Sequence, residues 1–264
     1  MQHPQSNLAP PFNITRASHL VFTARDLKAS RAFYTEVVGL VVSDENDDTI
    51  WMHGVEERCH HSLTLKKAKA EPVCERVGFR VFTDDDLLKA KAHFDRAGVE
   101  ARFVDVPFQG RTLHVADHTG TPLELVATQQ THVRTQTKTH THKGAGALRM
   151  DHYQVLVPDV AAAAKFYLDL GFRVSDYTVF GEDRIVAIFM YRKDNPHDMV
   201  FLQRSGPRFA SDFLTSGFIR GERIHRSGQR LMILRRNEDC GVPPDFTQTR
   251  NISEYQRTIG QRCF

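Results

Sequence analysis

Residues Arg149 to Ser175 read RMDHYQVLVPDVAAAAKFYLDLGFRVS, and the order of residues predicts a strand, a turn and a helix. Val155 and Val157 mark the strand, which carries His152, and Pro158-Asp159 breaks it. Asp159 is the expected N-cap of a helix from Val160 to Leu170. Its apolar positions Ala163, Phe166, Tyr167 and Leu170 recur at helical spacing, and Gly171 stands at the usual C-terminal stop. The same unit occurs earlier, as HLVFTARDLKASRAFYTEVVGLVVS from His19 to Ser43. His19, Asp26, Phe33 and Tyr34 match His152, Asp159, Phe166 and Tyr167 at a constant offset of 133, and Gly39 matches Gly171 once one residue is removed. Four matches in one register mark an internal duplication.

The first copy continues from Ile14 to about Thr128. DENDDTIWMHG reads as a turn and strand, HHSLTLKK as another strand, and GFRVFT (Gly78 to Thr83) as a third. Asp84-Asp85-Asp86 is expected to cap a helix that stops at Gly98. Strands VEARFVDV, RTLHVAD and PLELVAT follow, the last carrying Glu124. Each half is one strand, one helix and three more strands. The expected class is therefore α+β, built from paired βαβββ units.

Residues 1–13 (MQHPQSNLAPPFN) are polar and Pro-rich, and are expected to form a disordered leader, neither signal peptide nor membrane span. Residues 129–148 are expected to form a solvated linker in which His132, His140 and His142 give at most a weak, unselective metal site. The 264 residues suffice for two modules, and 41% hydrophobic with 25% charged residues describes a globular chain. A net charge of +3 without a basic run argues against nucleic acid, and no apolar run reaches the ~20 residues of a membrane helix. Cys59, Cys74, Cys240 and Cys263 form no C-x-x-C pair, as expected of a reducing, cytoplasmic setting.

The second copy keeps the pattern through DRIVAIFMYR and HDMVFL, and then loses it after Gly206-Pro207-Arg208. From Pro207 onward there are ten Arg and no Lys, against fifteen Arg and ten Lys before it. A change of reading frame or splice form near Phe209 is the expected cause. Residues 149–208 then form an incomplete second module, and 209–264 a non-matching tail.

The signatures DLKASRAFYTEVVGL, HHSL, LRMDHYQVLVPDV, LDLGFRVSD and HDMVFLQRSGPR resemble those of the vicinal oxygen chelate superfamily. Within it the chain is similar to two-domain extradiol catechol dioxygenases of the homoprotocatechuate 2,3-dioxygenase type. The resemblance implies an Fe(II) cofactor held in the second module by two histidines and a glutamate, with a catechol-type aromatic and O₂ as substrates. It places the first iron ligand at His152 and the catalytic, proton-shuttling histidine at His197, a role that suits an imidazole titrating near working pH. Phe189 and Tyr191 are candidates for the substrate pocket.

The other two iron ligands have no match. Phe209-Ala210-Ser211 stands where a His-His pair is expected, and His225, Glu222, Glu238 and Glu254 lack the family setting. Less than one tight iron and no ring cleavage are expected on this reading. The alternative is a catalytically silent protein of the same fold that binds a small aromatic or a partner chain. Pairing with a second copy is expected, because an incomplete module leaves strand edges open. His19 and Glu124 stand at first-module positions equivalent to the first and third ligands, but the middle position has no histidine, so that module is expected to be metal-free. Glu124 is expected to make hydrogen bonds near a sheet edge, and His60-His61 to pack or face solvent.

Overall fold

The structure, a computed structural model, describes residues 5–181, 184–193, 197–204, 213–220 and 230–234, the last two segments as backbone strands. The first module holds β1 (Ile14–Ala24), α1 (Leu27–Ala32), β2 (Val41–Glu45), β3 (Thr49–His53), β4 (Leu63–Lys67), β5 (Cys74–Val81), α2 (Asp84–Arg96), β6 (Arg102–Val104), β7 (Thr112–Ala116) and β8 (Pro122–Val126). They form one eight-stranded sheet of order β2-β3-β4-β1-β5-β8-β7-β6. Its halves are two βαβββ units, each with its first and last strands parallel (β1 with β4, β5 with β8) and joined to the other by the antiparallel pair β1–β5.

The second module repeats the first unit as β9 (Ala147–Val157), α3 (Val160–Asp169), β10 (Arg173–Phe180), β11 (Arg184–Tyr191) and β12 (Met199–Gln203). β13 (Phe213–Arg220) pairs antiparallel with β9, and β14 (Arg230–Leu234) pairs with β13, giving the order β10-β11-β12-β9-β13-β14. The sheet thus continues past Arg208, into the segment where the sequence pattern is lost. The register is also kept: His152 faces Gly217 as His19 faces Gly78.

Local signals behave as the residue chemistry requires, with two corrections. Asp159 caps α3 by accepting the Ala162 N–H at 3.0 Å, and Gly171 follows with φ +86. The cap of α2 is Thr83 and not the acidic run; the Asp86 carboxylate closes a capping box by accepting the Thr83 backbone N–H. In the first copy α1 passes at Phe33 into a π turn, Phe33–Val38, in which the Gly39 N–H reaches back to the Tyr34 carbonyl. A π turn holds one residue more than an α turn. It therefore absorbs the single residue by which the helical segment Asp26 to Gly39 exceeds its counterpart Asp159 to Gly171.

The leader and linker are more ordered than expected. Among the described leader residues, Phe12 is buried against Phe94, and the Asn7 N–H bonds the Leu168 carbonyl. The single apolar anchor at Phe12 outweighs the polar composition around it. The linker lies along the first module, where the His132 N–H bonds the Arg58 carbonyl, the Thr135 N–H the Val55 carbonyl and the Ala145 N–H the Val37 carbonyl. His53 Nε2 and His132 Nδ1 share a hydrogen bond of 2.9 Å.

The two modules share a core. Phe79 of β5 packs edge-on against Tyr153 and Phe172, and the fully buried Tyr153 hydroxyl accepts the Ser18 N–H and donates to the His19 carbonyl, each at 2.9 Å. Tyr153→Phe removes the partner of the Ser18 N–H in a dry interface, so it is expected to cost about 1–3 kcal/mol, measured as a loss in urea unfolding free energy.

Burial pushes the His53 pKa down to about 4, aided by the charges of His132 and His60 and opposed by the Gly54 carbonyl. The unfolded chain then takes up that proton first as pH falls. Stability is full above about pH 6.5 and declines toward pH 4, by up to about 3 kcal/mol for this residue. Urea midpoints measured across that range should fall with pH in the wild type and fall less in His53→Gln.

Candidate functional site

The parallel register of β9 with β12 sets Tyr153 beside Met199, which brings His152 and His197 to the same end of the sheet. Their rings meet edge to face with centroids 4.4 Å apart. His152 is buried and His197 half-buried. The pairing of β9 with β13 slips between Met150 and His152, so Asp151 occupies an irregular, bulge-like position. From there its carboxylate Oδ2 lies 2.8 Å from His152 Nδ1.

That contact fixes the ring: Nδ1 carries the proton toward Asp151, leaving Nε2 with its lone pair. A metal-bound imidazole is held in the same way. Asp151, His152 and His197 each bring a donor atom within 4.8 Å of the others. With Asp151 engaged on Nδ1, His152 Nε2 is the donor left to a metal, and an imidazole nitrogen suits a borderline divalent ion such as the iron that the sequence implies.

Asp198 holds His197 in place. Its buried carboxylate accepts the Ala17 N–H at 2.7 Å, the Arg192 N–H at 2.7 Å, the Lys193 N–H at 3.1 Å and the Lys193 ammonium at 2.7 Å. Burial lowers the Lys193 pKa, and the Asp198 carboxylate acts against that. The Lys193 ammonium also donates to the Asp151 carbonyl, so one lysine ties both acidic residues together.

Sequence reasoning singled out His152 and His197, which the structure brings together, and missed Asp151, Asp198 and Lys193. A signal was available in the repeat: the first copy has Ser18 and Ser62 where the second has Asp151 and Asp198. Phe189 meets the His197 ring edge-on at 5.3 Å. Tyr191 lies two residues further along β11, on the same pleat face, opposite Arg173. Phe209 to Ser211, Glu222, His225, Glu238 and Glu254 lie outside the described residues.

In the first module Glu124 lies on an interior strand, not at a sheet edge. Its carboxylate accepts from His19 Nε2 at 2.8 Å, His114 Nε2 at 2.6 Å and Gln109 Nε2 at 2.8 Å. Burial alone would raise the Glu124 pKa, but the bonds from His114 and His19 and the His19 charge outweigh it and hold the carboxylate well below its usual range. His60 and His61 are both buried. Burial also lowers the His61 pKa, with neighbouring His19 and His60 adding to the effect.

Comparison with known proteins matches residues 16–125 and 149–234 to the model of the Glyoxalase/Bleomycin resistance protein/Dioxygenase superfamily. The chain belongs to this superfamily. Homoprotocatechuate 2,3-dioxygenase from Brevibacterium fuscum, in a variant form, superimposes with a TM-score of 0.76 at 30% identity, covering 84% of this chain and 61% of that one. The Arthrobacter globiformis enzyme of the same name gives 0.72 at 27% identity, covering 76% and 63%. Metapyrocatechase from Geobacillus stearothermophilus is 19% identical over 205 residues, 74% of this chain and 62% of the relative. The chain thus spans about three fifths of the length of these relatives.

Truncating Asp198 strands a buried ammonium and three N–H groups. Asp198→Ala is expected to cost about 3–5 kcal/mol in urea unfolding, far more than the same change at exposed Asp176 on β10.

Proposed function

We propose that the second module is a metal-dependent catechol site of the extradiol type, with iron held at His152. The observation that carries this is the convergence of His152, oriented by Asp151, with His197 across 4.4 Å. The chain's similarity to homoprotocatechuate 2,3-dioxygenase, one of whose structures is a complex with 3,4-dihydroxyphenylacetate, supports a catechol-type aromatic acid as the ligand. Fe(II), when bound, would supply adjacent coordination positions for the two catechol oxygens and for O₂.

The protein's own residues do the rest. Asp151 keeps the His152 proton on Nδ1, so that Nε2 remains the ligand. His197 receives a catechol hydroxyl proton on its ring and returns it when the ring has opened, the ordinary work of an imidazole near neutral pH. Asp198 and Lys193 position His197 through the backbone. Phe189, packed against His197, forms an apolar wall for the substrate ring, and Tyr191 continues the same face of β11.

Among the described residues His152 is the one candidate from the implied set of two histidines and a glutamate. That favours a second reading, in which the aromatic is bound and turnover is lost. Anaerobic titration with Fe(II) and then a catechol, followed by O₂ and the absorbance of the ring-opened product, separates the two. On the first reading catechol binding requires iron and weakens at least tenfold in His152→Ala. His197→Gln then retains catechol but slows ring opening by about 10²–10⁴-fold. Asp151→Asn should weaken iron binding by about 10–100-fold. Catechol binding that is equal with and without iron, and equal in His152→Ala, sinks the enzyme reading and leaves the silent binder. Because a single imidazole makes a weak site, wild-type iron binding is expected to be weak and ring opening slow.

A further inference from the structure

The duplication predicts a counterpart in the first module of every residue at the second-module site. The pairings Leu20↔Leu63 and Tyr153↔Met199 make His19 equivalent to His152 and His61 equivalent to His197. The first-module pair is fully enclosed, as is Glu124 beside it: relative exposures are 0% for His19, 1% for His61 and 2% for Glu124.

These three side chains converge on one atom. The Gln109 amide nitrogen lies 2.8 Å from Glu124 Oε1, 3.2 Å from His61 Nε2 and 3.4 Å from His19 Nε2. The Glu124 carboxylate can only accept, so it draws the NH₂ end of the amide inward, and the amide oxygen lies 3.0 Å from the Thr112 hydroxyl. A donor group therefore sits where two imidazoles and a carboxylate meet, in the place a cation would take.

The backbone is strained to put it there. Phe108 has φ +66, a left-handed conformation that a phenylalanine rarely adopts. Its ring is clamped by a stack on His60 with centroids 3.8 Å apart and an edge contact with Trp51 at 5.0 Å, and its carbonyl accepts the Gln130 N–H. The strain and the clamp have one local product, the inward projection of Gln109.

We propose that the first module retains a divalent-metal site formed by His19, His61 and Glu124, and that the Gln109 amide occupies it as a built-in plug. Two histidines and one carboxylate is a set for a borderline first-row ion. Metal–ligand distances of about 2.0–2.2 Å require the donors to draw in by roughly 1 Å from their present distances to the amide nitrogen. Gly78 bears on this too: a Cβ there would lie 2.3 Å from the His19 ring, so only glycine allows the ring to lie across the sheet toward Glu124.

The test uses Co(II), whose visible ligand-field bands report nitrogen and oxygen ligation, with equilibrium dialysis of the full-length chain for stoichiometry. Wild type, Gln109→Ala and Gln109→Ala/Glu124→Gln are compared, so that uptake by the second module or by linker histidines is common to all three. Gln109→Ala is expected to bind one equivalent more than wild type, with new visible bands, and the double variant to lose both. Equal stoichiometry in wild type and Gln109→Ala overturns the proposal, as does an extra equivalent that survives in the double variant. Gln109→Ser carries the same readout if the alanine variant is insoluble.

Discussion

The register between the first and last strands of each βαβββ unit is the constraint on which the sites depend. These strands run parallel, so they cannot be joined by a hairpin, and the chain must pass through a helix and two further strands before it returns. A histidine near the middle of the first strand therefore meets one about 45 residues later. His197 stands just ahead of β12, and one residue of slip in the pairing of β12 with β9 would carry it about 3.3 Å along the sheet, away from His152. The pairings of Tyr153 with Met199 and Leu20 with Leu63 show the register held in both copies.

Buried polar groups then join the copies into one body. The Tyr153 hydroxyl bonds Ser18 and His19 on β1 and the Gly78 carbonyl on β5, and the Asp198 carboxylate reaches the Ala17 N–H across the interface. Asp198 also binds the Arg192 and Lys193 N–H groups and adjoins His197, so the anchor of the interface and the support of the site are the same side chain. Stability and site geometry cannot be varied independently there. In the first module Ser62, the counterpart of Asp198, donates its hydroxyl to the buried Glu57 carboxylate instead.

Much of this was legible from residue order. The offset between His19 and His152 gave the duplication, Pro158-Asp159 and Gly171 gave the limits of α3, and the family resemblance implied a common site for His197 and His152. What escaped the sequence depends on contacts distant in the chain. Asp151 and Asp198 look like ordinary neighbours of histidines until β9 and β12 are paired, and Gln109 sits in a loop with no motif at all. Phe12 was hidden by the prolines around it, since composition averages over the one residue that anchors the segment. Thr83 was passed over as the cap of α2 because an acidic run follows it, although Thr-x-x-Asp is itself a capping pattern.

The π turn at Phe33–Val38 gives the two copies different fates. Widening the last turn of that helix presents the Val37 carbonyl outward, where the Ala145 N–H takes it at 2.9 Å. Gly39 and Gly144 allow the approach, since a Cβ on either would collide with backbone across the contact. The matching turn of α3 is one residue shorter and offers no such berth. A single inserted residue has thus made twins non-interchangeable: the connecting peptide can moor only on the leading copy, and an inverted order of the halves would leave it adrift.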